Sequence, residues 1–260
     1  MPAYNEALSV GSVIKNIFQT PINLILLVAN GCTDQTCQEA LLAANGRSLK
    51  ILSFSQALGM DIPKAVGAAY ALKFKPQGVV FVDGDMKGPI QPVLLNLITA
   101  VENGLDLALT DCYPLILQHS DLANQVLKAR EDFNRQINLF NKLGVSTPSH
   151  GPHAFSSTLL QKINLRYLAV PPKALVQAVL YHAEIGVGAT IPHPLLGSSQ
   201  RSPWHSEKIA ETIIGDCQEA LELLNPDSPE SYATSAKEIG YRSSRRFDIL
   251  ERILETCEQK

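Results

Sequence analysis

Gly78-Val79-Val80-Phe81-Val82 runs directly into Asp83-Gly84-Asp85. An apolar run of this length, bounded by turn residues, predicts a strand buried on both faces of a parallel sheet. The two carboxylates then sit at the strand's carboxyl end, where open α/β sheets bind their ligands. Two carboxylates one residue apart on a turn suit a hard divalent cation, leaving coordination positions for phosphate oxygens and water. An Asp-Gly turn that only ends a strand reads the same way, so the surrounding sequence has to decide.

Working outward, Val10, Val13, Ile14, Ile17 and Phe18 recur at helical spacing and predict a helix over 9–19 with Ser9 as its cap. Residues 24–29 form a continuous apolar strand. Thr33 and Asp34 open a helix through 42, either one able to cap it. A third strand is expected over 49–54, an Ala-rich helix over 64–74, and the fourth strand over 78–82. A helix over 90–103 and a strand over 105–110 follow the carboxylates. Strands and helices in alternation predict an α/β fold with a mostly parallel sheet flanked by helices and right-handed crossovers. The second half is less regular and more helical. It reads as a long helix over 122–143 holding Arg130, Glu131, Asp132 and Arg135, then a polar loop over 146–155. A helix over 173–184 follows, then a strand over 189–196 confined to an edge by Pro192 and Pro194, and amphipathic helices over 206–224 and 233–256.

The chain has 260 residues, 45% of them hydrophobic, and a formal charge of -3. Such a length suits one large domain whose core needs no disulfide or metal staple. The charge gives no basic footprint for nucleic acid. Cys32, Cys37, Cys112, Cys217 and Cys257 are odd in number and lack zinc-ligand spacing, which makes a reducing cytoplasm the expected compartment. No stretch is apolar enough to span a bilayer, and no signal peptide is evident.

Two further segments join the first. Pro2-Ala3-Tyr4-Asn5-Glu6 stands at the amino terminus, and Ala29-Asn30-Gly31-Cys32-Thr33-Asp34-Gln35-Thr36 closes the second strand. The order P-A-Y-N-E, strand, N-G-C-T-D-x-T, strand, D-x-D resembles the nucleotide-sugar half of the family 2 glycosyltransferases of GT-A fold, over roughly the first 110 residues. More faintly, the layout beyond resembles the glucosyl-3-phosphoglycerate and mannosylglycerate synthase group. The resemblance implies one continuous domain, with 1–112 the donor half and 113–260 the acceptor half and carboxyl-terminal helices. In the family a strand precedes P-A-Y-N-E, so either the true start lies upstream of Met1 or the sheet lacks that strand, the former being preferred.

The resemblance also implies a metal-dependent hexosyltransferase using Mn2+ or Mg2+, a nucleoside diphosphate sugar and a small hydroxylated or anionic acceptor, and it allows a homodimer. UDP is favoured and GDP stays open. Asp85 is the leading metal ligand, with Asp83 beside it or nearer the ribose. Pro2, Ala3, Tyr4 and Glu6 would contact the nucleoside. Asn30, in place of the more usual acid, can donate and accept and so read a pyrimidine edge, with Gly31 beside it. Gly84, Lys64 and Arg201 would lie along the diphosphate. His205 is expected as third metal ligand, His193 as second choice, and Trp204 either closes over a substrate or packs. His150, Gly151 and His153 would line the acceptor. Inverting members carry an acid where this chain has Pro171-Pro172-Lys173-Ala174. That leaves Asp111 as fallback base, or a retaining route in which the leaving phosphate takes the proton. A non-catalytic GT-A domain is the alternative.

Overall fold

A computed structural model describes residues 1–115, 119–199, 202–224 and 239–258. Three parallel strands, β1 (Pro2–Ala3), β2 (Ile25–Asn30) and β3 (Leu49–Phe54), form one sheet in the order β1-β2-β3. A second holds β4 (Gly78–Phe81), β5 (Leu107–Asp111), β6 (His153–Ser156) and β7 (Ile185–Thr190) in the order β4-β6-β5-β7. Here β6 runs antiparallel to both neighbours, while β5 and β7 are parallel. The Gly84 N–H donates to the Pro2 carbonyl at 2.9 Å and ties the turn after β4 to β1. On the side of β1 away from that turn, a cavity of about 940 Å3 separates Ile25 and Leu26 of β2 from Val79, Val80 and Phe81 of β4.

Helices cover both faces, each through its own apolar cluster. On one face lie α1 (Val10–Ile17), α2 (Thr36–Ala44) and α4 (Gln91–Glu102). On the other lie α3 (Ile62–Leu72), α5 (Asp121–Gln136), α7 (Ser157–Lys162), α8 (Pro171–Leu180), α9 (Pro203–Leu221) and α10 (Phe247–Glu258). The short α6 (Phe140–Leu143) follows α5. In α1 the predicted spacing holds: Val10, Val13, Ile14 and Ile17 are all buried. Ser9 occupies the cap position but its side chain caps nothing, and the Glu6 carbonyl takes the Ser9 and Val10 N–H groups instead. The cap position of α2 falls at Gln35, whose side chain caps nothing, rather than at Thr33 or Asp34; Asp34, one residue earlier, accepts from the Thr36 N–H at 3.0 Å.

The second half departs from the sequence expectations in five places, one of them the helix expected over 233–256, which among the described residues begins only at Phe247, after a 3-10 turn over Arg242–Ser244. The long helix stops at Gln136, because Asn138 adopts a left-handed φ of 60° before α6 restarts. The polar loop turns into β6 at His153, a four-residue strand too short to show periodicity. The next helix begins at Pro171, a residue suited to the first helical turn, and ends before His182 (φ 53°). The last strand starts at Ile185, four residues early, and a 3-10 turn occupies His193–Leu196. It does lie at the sheet edge, as the prolines implied.

Candidate functional site

Four hydrogen bonds knit the amino-terminal motif to the one after β2. Asn5 Oδ1 accepts from the Thr33 N–H (2.8 Å), Thr36 Oγ1 from the Glu6 N–H (2.7 Å) and Asp34 Oδ2 from the Ala7 N–H (3.0 Å). The Cys32 thiol donates to the Ala3 carbonyl at 3.3 Å. Burial alone would raise the Asp34 pKa, but the bonds from Thr36 and Ala7 outweigh it and hold the carboxyl below its ordinary value. Gly31 has φ +72°, and a Cβ there would stand 2.5 Å from the Ala57 nitrogen. Only glycine fits.

Asp83-Gly84-Asp85 stands at the carboxyl end of β4, beside the ends of β1 and β2. A Cβ at Gly84 would meet the Pro2 carbonyl at 2.9 Å, so glycine lets the turn approach β1. Pro2 and Ala3 thereby contribute backbone to the site's wall, and Tyr4 is exposed next to them. Asp83 Oδ1 faces Lys64 Nζ at 3.6 Å, and Ser198 Oγ donates to Asp85 Oδ1 at 3.4 Å. Ser198 arrives because the turn before it is wedged against Gly88, whose N–H donates to the Leu196 carbonyl at 2.9 Å.

Lys64 is 8% exposed and bonded to Asp61 at 3.0 Å as well as to Asp83. Burial would lower its pKa, yet the two carboxylates prevail and keep it firmly cationic. Its charge is therefore committed to orienting Asp83, where a direct diphosphate contact was expected. Asn30 is likewise engaged. Its Oδ1 accepts from the Leu58 N–H at 2.6 Å and its Nδ2 reaches the Gly59 carbonyl at 3.5 Å, so its amide edge holds a loop of its own chain.

The expected third metal ligand is not brought to the carboxylates. His205 lies in the first turn of α9 with Nδ1 2.6 Å from the Tyr241 hydroxyl. Among the described residues no group of three His, Cys, Asp or Glu side chains is gathered to hold a metal. Trp204 is 61% exposed and meets Tyr241 edge-on. Arg201 lies outside the described residues.

On the acceptor side, His150 Nε2 lies 2.8 Å from His193 Nδ1, and Tyr113 stacks on both rings. His193 thus joins His150 rather than the metal turn. Gly151, at φ +72°, lets the chain pass Cys112. His153 does not line this site: it is buried in β6, stacked on Phe81 at 5.0 Å, with Nδ1 3.2 Å from the Gly151 carbonyl. Asp111 ends β5 and accepts from the Tyr113 N–H at 2.9 Å. At the head of α8, Lys173 pairs with Glu219 at 2.5 Å, which fills the slot where an acid was sought.

Asp61, Ser198 and Arg130 went unrecognised in the sequence. Arg130 had a signal: Phe133 and Asn134 follow at i+3 and i+4, and all three are buried on one face of α5.

No family model and no curated protein sequence matches the chain. Solved structures do. Glucosyl-3-phosphoglycerate synthase from Mycobacterium tuberculosis in complex with phosphoglyceric acid aligns with TM-score 0.61 and 17% identity, over 84% of this chain and 77% of that one. Its complex with Mg2+ and UDP gives TM-score 0.60 and 17% identity over the same shares. The complex with Mn2+, UDP-glucose and phosphoglyceric acid gives 0.57 and 19%, over 84% and 78%. The fold is GT-A. With fewer than one residue in five identical, the likeness is one of architecture.

Proposed function

We propose that the chain is a metal-dependent glycosyltransferase moving a hexose from a nucleoside diphosphate sugar, with UDP favoured, to a small hydroxylated or anionic acceptor. The observation that carries this reading is the Asp83-Gly84-Asp85 turn, locked to β1 at the carboxyl ends of the strands in a GT-A fold. The solved neighbours in complex with UDP, Mg2+ or Mn2+ and phosphoglyceric acid favour UDP and an anionic acceptor. Residues 1–112 form the donor half and 113–260 the acceptor half.

Two hard oxygen donors on one turn fit Mn2+ or Mg2+. Asp85 and Asp83 would hold the ion, which when bound neutralises charge developing on the departing diphosphate. The protein's own part is positional. Lys64 holds Asp83 in place across 3.6 Å, the backbone of Pro2, Ala3 and Gly31 leaves room for a nucleoside, and Tyr4 and Glu6 flank it. With Lys173 and Glu219 paired at the head of α8, the acceptor's proton goes to the leaving phosphate or to Asp111.

A second reading, a GT-A domain that binds without catalysing, is favoured by the internal engagement of Asn30 and Lys64. Calorimetric titration with UDP and GDP, each with and without Mn2+, separates the two. Metal-dependent UDP binding that disappears in Asp85→Ala, with release of UDP from UDP-glucose, is the expected result. Nucleotide binding that ignores both metal and mutation assigns the second reading, and no binding under any condition overturns both.

A further inference from the structure

Arg130 is 2% exposed, and its Nε meets no acceptor. Among the described residues no carboxylate pairs with it. Asp111, in the same region, directs its Oδ1 to the Tyr113 N–H. The guanidinium charge is felt by Tyr113, Cys112, His150, His193 and Cys217. Every one of those groups is held neutral, chiefly by burial: the thiols of Cys112 and Cys217 are pushed up to about 12, the Tyr113 phenol is raised, and both imidazoles are lowered.

A buried cation without a counter-charge is among the costliest arrangements a fold can hold. Unsatisfied polar atoms gather around it. Asn134, one turn further along α5, donates to the Gly144 and Ser146 carbonyls at 2.7 and 3.0 Å, which docks the 144–150 loop beside Arg130. Four buried donors without a partner among the described residues fall here, Arg130 Nε, Ser146 Oγ, Thr147 Oγ1 and Ser149 Oγ, with the acceptor Asn134 Oδ1 beside them. Donors with nothing to donate to, beside an unpaired positive charge, lack an oxyanion.

We infer that Arg130, with Tyr113, His150, His193 and Ser149, forms an oxyanion site that takes a carboxylate or phosphate group. That this group belongs to the acceptor rests on the glycosyltransferase reading; the anion site itself does not.

Thermal unfolding of the full chain tests it, titrating inorganic phosphate and, separately, malonate at constant ionic strength against chloride. The wild type is expected to gain about 5 °C at saturation with the favoured anion, and the arm with the lower half-saturation tells phosphate from carboxylate. Arg130→Met is expected to melt higher than wild type in chloride, because it removes an uncompensated buried charge, and to lose the anion response. His193→Asn, at the exposed rim, is expected to weaken half-saturation about threefold to tenfold, which tests the site even if Arg130→Met does not fold. A wild type that responds no more to phosphate or malonate than to chloride overturns the inference. So does an Arg130→Met protein that melts lower and keeps the response, since ordered water then satisfies the arginine. Titrating UDP and Mn2+ into the same samples separates the failures. UDP binding without an anion response sinks the oxyanion site alone, and an anion response without UDP binding sinks the glycosyltransferase reading alone.

Discussion

Both ends of the Asn30 amide are occupied, by the Leu58 N–H at 2.6 Å and the Gly59 carbonyl at 3.5 Å. Replacing it by leucine strands a buried donor, and the expected loss is about 2 kcal/mol in a urea unfolding experiment. Asn30→Asp keeps the stronger of the two bonds, so its midpoint should fall between those of Asn30→Leu and wild type. His153 carries the acid sensitivity of the core. Burial, reinforced by the Lys64 charge and opposed by the Gly151 carbonyl, lowers its pKa to about 3 from the 6.5 of an exposed histidine. Between those values the unfolded chain binds a proton that the folded chain refuses, so stability is intact above pH 6.5 and is lost as pH falls. The loss reaches about 3 kcal/mol by pH 4. His153→Phe, which keeps the stack on Phe81, should flatten the unfolding midpoint between pH 7 and pH 4. A slope unchanged from wild type would move the sensitivity to His150 and His193, whose pKa values are lowered in the same direction. The sequence named His150 and His153 together as acceptor groups, yet alternate positions of one short strand and its approach face different surroundings, and nothing local distinguishes the buried ring.

Elements were legible where their apolar pattern was long and were lost where tertiary packing took over. The strands of the first half and α1 follow from continuous or periodic apolar residues, whereas β7, Ile-Gly-Val-Gly-Ala-Thr, reads as a poor strand. Its glycines answer to a neighbour. A Cβ at Gly188 would meet Cβ atoms of Ala100 in α4 and Ala108 in β5 at 2.9 Å, and one at Gly186 would meet the Leu105 side chain at 3.2 Å. The helix lies directly on the sheet there, so Gly188→Ala should overpack the interface at a cost of about 1–3 kcal/mol. A hydrogen-exchange experiment would show α4 amides losing protection first; uniform loss across the sheet would refute this packing account. The three motifs at the ends of β1, β2 and β4 were legible because each is contiguous. Ser198 was not, since it reaches Asp85 only through the wedging of Gly88 against the turn that ends at Gly197.

Across the whole molecule, one chain of charges joins the carboxyl-terminal segment to the Asp83-Gly84-Asp85 turn. Lys173 pairs with Glu219, Glu219 with Arg242, and Arg242 with Asp216 at 3.4 Å. Asp216 then holds Arg245 through two bonds of 2.7 and 2.6 Å, Arg245 reaches Asp61 at 3.4 Å, and Asp61 holds Lys64, which faces Asp83. Four cations alternate with four carboxylates, so the buried network is neutral as a set and costly to break at one member. The Arg245 segment also clamps the loop that Asn30 holds: Arg245 Nε donates to the Met60 carbonyl at 3.1 Å, the Arg246 N–H donates to the Leu58 carbonyl at 2.8 Å, and a Cβ at Gly59 would overlap Ser244. In sequence Arg245 and Met60 lie 185 residues apart, so nothing local to Arg242, Arg245 and Arg246 announces these contacts. Arg245→Met should lower stability by about 3–5 kcal/mol because Asp216 and Asp61 are left buried with one counter-charge fewer. Adding Asp216→Leu should recover part of that loss, while Arg246→Ala, whose pair with Asp248 is exposed, should leave the midpoint where it was. If the double variant is as unstable as the sum of its two single variants, the charges act independently, and the carboxyl-terminal segment steadies the Asp83-Gly84-Asp85 turn through backbone contacts alone.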